Sequence, residues 1–136
     1  MRFPQLLVFE TDGRLTASLG PLAQELGLSP RQVQQTEACR RALRRGGPNV
    51  LLLRAGRDLD REFALLDQVS RSLPETRIVV VLDQDDARLR GLAWDLGAAY
   101  VLPLARARDL LPDLIRGLVT TPGAPRPIRS APPRVP

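Results

Sequence analysis

Arg77-Ile78-Val79-Val80-Val81-Leu82 is an uninterrupted run of β-branched and aliphatic residues. A strand with one wet face alternates apolar and polar positions, so a run without alternation requires cover on both faces. Gln5-Leu6-Leu7-Val8-Phe9-Glu10 reads the same way and is closed by the turn pair Asp12-Gly13. Asn49 to Leu53 is a further apolar run, and Ala99 to Leu102 a short last one. The polar run from Arg31 to Gln35 is a candidate edge strand.

Helical patterns fill the intervals. Leu15, Leu19, Leu22 and Leu26 recur at helical spacing, with Gly27 as a C-cap and Pro21 as an irregularity. Ala38, Ala42 and Leu43 mark a short helix stopped by Gly46-Gly47-Pro48. Leu59, Phe63, Leu66 and Leu73 mark another, from about 59 to 73. Asp85 and Asp86 sit where acids complement a helix N-terminus, ahead of an apolar face of Leu89, Leu92, Ala93 and Leu96. Leu110, Leu111, Leu114, Ile115 and Leu118 form the stripe of a last helix. Five strand-helix units on short links imply an α/β three-layer sandwich with a five-stranded parallel sheet.

The chain of 136 residues has room for one such core. Its 43% hydrophobic and 26% charged residues are ordinary for a globular protein. All 20 basic residues are arginine, with neither lysine nor histidine. This removes an imidazole base, a Ser-His or Cys-His nucleophile pair, His-ligated zinc, a P-loop lysine and a Schiff base. The single cysteine, Cys39, is expected as a buried structural thiol. No catalytic residue, cofactor or metal site is expected. No apolar run reaches the roughly 18 residues that span a bilayer, and no signal-peptide core follows Met1, so a cytoplasmic protein with no membrane partner is expected.

Residues 1–119 hold 17 arginines and all 15 acids, while residues 120–136 hold three arginines, six prolines and no acid. More than half of the net charge of +5 therefore lies on the last stretch. That stretch cannot bury enough surface to offset its ordering entropy, and a flexible or polyproline-like tail or linker is expected after a domain over residues 1–119.

The order and spacing of Leu6-Leu7-Val8-Phe9-Glu10, Pro48-Asn49-Val50-Leu51-Leu52-Leu53, and Gly97-Ala98 followed by Tyr100-Val101-Leu102-Pro103 resemble a response-regulator receiver domain over roughly residues 5–119. The resemblance implies a (βα)5 flavodoxin-like fold. In that family an acidic pair after the first strand holds magnesium, and an aspartate after the third takes the phosphoryl group. A Ser or Thr after the fourth senses it, and a lysine before a proline on the fifth contacts it. The matching positions here are Glu10, Thr11 and Asp12, then Arg54, then Leu82, then Leu102 before Pro103, with the segment from Gly97 to Pro103 about two residues short. Arginine cannot accept phosphate as a carboxylate does, and it puts permanent charge where the metal belongs. Arg54 is expected to pair with Glu10 or Asp12 and fix the pocket in one state; the alternative is an arginine pointing into water.

Receivers commonly signal or dimerise through the face of the fourth helix, fifth strand and fifth helix, which directs attention to Arg90, Trp94 and Tyr100. Trp94 should point away from the Leu92 and Leu96 stripe, either as an interface anchor beside arginine or packed along a neighbouring element. Arg40, Arg41, Arg44 and Arg45 form a basic ridge, which is a solvated helix face or a grip on an acidic partner, phosphate or nucleic acid. The leading expectation is a phosphorylation-independent regulatory module of bacterial signalling, acting on another signalling protein or as a homodimer. Less favoured is a nucleic-acid-associated transcriptional regulator using the basic helix and tail or a further effector domain. An enzyme on the same fold is the third reading.

Overall fold

The computed structural model describes residues 5–45 and 49–120. The stop Gly46-Gly47-Pro48 and most of the expected tail, 121–136, lie outside the described residues. The elements are β1 (Gln5–Phe9), α1 (Arg14–Ser18), α2 (Gly20–Leu26), β2 (Pro30–Val33), α3 (Thr36–Arg45), β3 (Asn49–Ala55), α4 (Leu59–Ser72), β4 (Arg77–Leu82), α5 (Ala87–Asp95), β5 (Tyr100–Pro103) and α6 (Leu104–Thr120). All strand pairings are parallel, in the order β2-β1-β3-β4-β5.

The apolar runs behave as their lack of alternation requires. Ile78, Val80 and Leu82 point into one cluster with Cys39 and Leu43 of α3, Phe63 and Leu66 of α4 and Ala93 of α5. Val79 and Val81 point into the other, with Leu15 and Leu22 of α1 and α2 and Ala107, Leu111 and Ile115 of α6. Both faces of the sheet are thus covered, and each fully buried aliphatic side chain contributes about 1.5–3 kcal/mol.

Several boundaries differ from the sequence expectation, each for a local reason. The first helix is two pieces, because Pro21 lies in the opening turn of α2 and Leu19 ends α1. Gly27 takes the left-handed C-cap, at φ 69°. The edge strand is Pro30–Val33 and not Arg31–Gln35. The last helix starts at Leu104, directly after β5, and runs through Thr120.

Two expected core residues are outside. Leu92 is 43% exposed because α5 lies over the sheet's edge, where only a narrow stripe centred on Ala93 is covered. Leu110 is 37% exposed, since the line that α6 presents to the sheet is Ala107, Leu111 and Ile115 at four-residue spacing.

Candidate functional site

Parallel strands end together, so the residue after β1, the last residues of β3 and the residue after β4 gather at one edge of the sheet. Glu10 and Arg54 lie one residue beyond the Phe9–Leu53 pair. Asp83 follows Leu82, which pairs with Ala55, and its backbone N–H donates to the Ala55 carbonyl at 2.9 Å.

Glu10 is a charged residue with a fully buried side chain, and its partners explain how it is tolerated. Its carboxylate accepts from the Leu15 N–H at 3.1 Å, and from the Thr16 N–H and hydroxyl at 2.8 Å each. It therefore satisfies donors at the start of α1 that have no intrahelical acceptor. Asp12 accepts from the Arg14 N–H at 3.0 Å. Gly13, at φ 74°, turns the chain between them, close against the Gln32 side chain.

Arg54 joins these acids to a third. Its Nη1 donates to both Asp12 carboxylate oxygens at 2.7 Å, and its Nε donates to Asp83 Oδ1 at 2.9 Å. Glu10 Oε1 stands 3.5 Å from the same Nη1. The Arg54 side chain is only 16% exposed, so these contacts are partly shielded from water. The Arg14 N–H, and then the Arg54 guanidinium, hold the Asp12 carboxyl down at about 2. Burial works against the charge on Arg54, but Asp83 and Asp12 outweigh it and raise its pKa.

The loop after β3 completes the mouth. Glu62, on the first turns of α4, is buried and accepts from the N–H groups of Gly56 at 2.8 Å and Asp58 at 3.3 Å. Burial raises its pKa, and the two N–H donors partly offset that. Asp58 caps α4 by accepting from the Arg61 N–H. Glu10, Thr11, Arg54, Gly56, Arg57 and Asp83 line a depression with about 20 Å³ of free volume. One water requires roughly 10–15 Å³, so the depression has room for about one.

Leu82, Leu102 and Pro103 do not line this depression. Leu82 is 1% exposed within the cluster beneath α3, α4 and α5, and Leu102 packs against the opposite cluster. The residue at the mouth is Asp83, which sequence reasoning passed over. Its signal was its place directly after a strand, the same place that singled out Arg54.

The other expected positions are separate from the mouth. Trp94 is half-buried and meets Tyr100 edge to face, with centroids 6.2 Å apart and planes at 62°. Arg90 is paired with Asp85 at 2.5 Å. Arg40 pairs with Glu37, and its Nε is buried without an acceptor among the described residues. Arg41 and Arg44 are exposed beside them, whereas the expectation for the Arg45 side chain falls outside what is described. Cys39 is fully buried in α3, where desolvation pushes its thiol up to about 12.

No protein-family model and no curated protein matches the sequence. Solved structures do match in shape. A response regulator from Thermotoga maritima superposes with a TM-score of 0.73 at 16% identity, over 87% of this chain and 98% of that one. The chain has the response-regulator receiver fold. An orphan response regulator of H. pylori gives a TM-score of 0.71 at 11% identity, over 85% and 94% of the two chains. RcsB from Salmonella enterica serovar Typhimurium, bound to the promoter rprA, gives 0.69 at 16% identity, over 85% and 67%.

In the receiver fold thus established, Arg54 is the next-to-last residue of the central strand of the sheet. The magnesium ion that the fold family implies does not fit these residues, because a permanent cation already stands within hydrogen-bond distance of Asp12 and Asp83. Among the described residues no group of three His, Cys, Asp or Glu is arranged to hold a metal. Nor is any described helix long and apolar enough to cross a membrane.

Proposed function

We propose that the protein is a phosphorylation-independent receiver-like module that regulates through contact with another signalling protein or with a second copy of itself, and performs no group transfer of its own. The observation that carries this reading is the bond set of Arg54 to Asp12 and Asp83 at the end of β3. A phosphoacceptor receiver needs a carboxylate nucleophile there and a divalent cation to offset charge repulsion. Here the position has no nucleophilic oxygen, and a guanidinium supplies the positive charge. Signalling then falls to surfaces, of which the Trp94–Tyr100 edge is an aromatic candidate.

The test is incubation with magnesium and acetyl phosphate followed by intact-mass measurement. No acid-labile adduct should form. An adduct on any aspartate overturns the reading.

A further inference from the structure

We infer that the depression on α3 among Arg40, Arg41 and Arg44 is a binding site for a small phosphoryl anion, of the class of inorganic diphosphate or the phosphate end of a small ester. The inference stands apart from the Arg54 reading of the mouth, because the two depressions share no lining residue. This one has about 230 Å³ of free volume and is lined by Glu37 and the three arginines. Sites for drug-sized ligands run from roughly 300 Å³ upward, so a compact ligand suits it.

Charge selects an anion. Three guanidinium groups face one carboxylate, which leaves two positive charges unmatched among the lining residues. Like charges four apart on a helix repel, so Arg40 and Arg44 are held near each other at a cost that a bound anion removes. The negative end of the helix accounts for Arg44, in the last turn of α3, but not for Arg40 and Arg41 in the turn before. Arg54 differs in this respect, since Asp12 and Asp83 already engage it.

Arg40 is the fixed part of the site. Its neighbours Cys39 and Leu43 are buried in the cluster beneath α3, and its own side chain is only 26% exposed. Its Nη2 pairs with Glu37, while its Nε has no acceptor among the described residues. A buried donor without an acceptor is unfavourable. A turn of the guanidinium toward an anion in the depression brings its forked N–H donors onto two phosphoryl oxygens, which satisfies Nε as Glu37 does not. Arg41 and Arg44, exposed at the rim, supply the remaining charge. No aromatic side chain is among the described residues that line the depression, so nothing there stacks a base and the ligand is read through its phosphoryl group.

The probe is inorganic diphosphate, titrated calorimetrically into the full chain at constant ionic strength, with circular dichroism checking the fold of every variant. Saturable binding is expected. Arg40→Gln should weaken it about tenfold or more, as the loss of a charge-assisted hydrogen bond implies. Arg44→Gln should weaken it as well, and because that side chain is exposed it decides the matter even where Arg40→Gln fails to fold. Arg88→Gln, which removes an exposed arginine of α5, should leave binding unchanged. Glu37→Gln should tighten binding about threefold, whereas Glu75→Gln, the same change of charge outside the site, should not. Absence of saturable binding overturns the inference, as does equal weakening by Arg44→Gln and Arg88→Gln. Tighter binding of a random DNA duplex, falling steeply as salt rises, assigns the ridge to nucleic acid and overturns it too. So does retention on phosphatidic acid vesicles that free diphosphate fails to reverse, which assigns the site to a lipid headgroup.

Discussion

A Cβ on Gly56 would lie 2.5 Å from Asp83 Cγ, so the bare backbone at position 56 is what lets the Asp83 carboxylate turn toward Arg54 Nε. The loop after β3 and the residue after β4 are thereby coupled through a contact that neither segment shows alone.

Gly56→Ala should displace Asp83 and lose its charge-assisted bond to Arg54, destabilising the fold by about 1–2 kcal/mol in urea denaturation. In an Asp83→Gly background the same substitution should cost much less, because the Cβ that stands 2.6 Å from the new methyl is gone along with the carboxylate. Additive effects in that double-mutant cycle would show that Asp83 is not what position 56 protects.

Arg54→Ala removes the cation that three carboxylates face. The pair is neither fully exposed nor fully buried, so the cost should be about 1–3 kcal/mol, between the ranges for those two cases. Arg54→Lys keeps the charge but cannot donate from Nε and Nη1 to two acids in one plane, and should recover only part of the loss. Thermal melts of the three chains check the order.

Two carboxyls make stability depend on pH with opposite signs. Asp12 is held at about 2 against an ordinary 3.8, so its contribution is complete above the ordinary value and is lost as pH falls toward about 2. Asp12→Asn should flatten that acid limb. Glu62 is raised above its ordinary 4.5, so its charge increasingly opposes folding as pH rises from there through the folded value. Glu62→Gln should remove this decline, while the amide oxygen still accepts from Gly56 and Asp58. Denaturation of the three proteins from pH 2 upward reads both limbs.

Cys39 is fully buried, and its thiol is pushed up to about 12. Native protein should therefore resist a thiol-specific disulfide reagent at neutral pH and react fully in denaturant, since the thiolate is the reacting species. Rapid modification of native protein would contradict the placement of α3.

The layered fold was legible in the sequence because β1, β3 and β4 are buried on both faces and so carry a signal that needs no partner to read. Ile78 and Val79 face opposite clusters and are both apolar for that reason. Spacing misled where a helix lies at the sheet's margin. Leu92 and Leu110 have apolar character at helical intervals, yet which turn meets the sheet depends on how α5 and α6 settle on β4 and β5. At the mouth, Glu10, Asp12 and Arg54 could be singled out by place along their own segments. Asp83 could not be joined to Arg54 without the β3–β4 register and the open space at Gly56.

A magnesium ion at a protein surface comes and goes with its concentration, and chelators strip it. The positive charge that Arg54 sets among the tips of β1, β3 and β4 is bonded into the polypeptide, and its pKa is raised further by its neighbours. It is present in every molecule from the moment of synthesis, whatever the divalent salts or phosphate donors in the surrounding fluid. Chelators and swings in divalent salt leave that guanidinium where it is, because keeping it there takes no ion from the surrounding fluid.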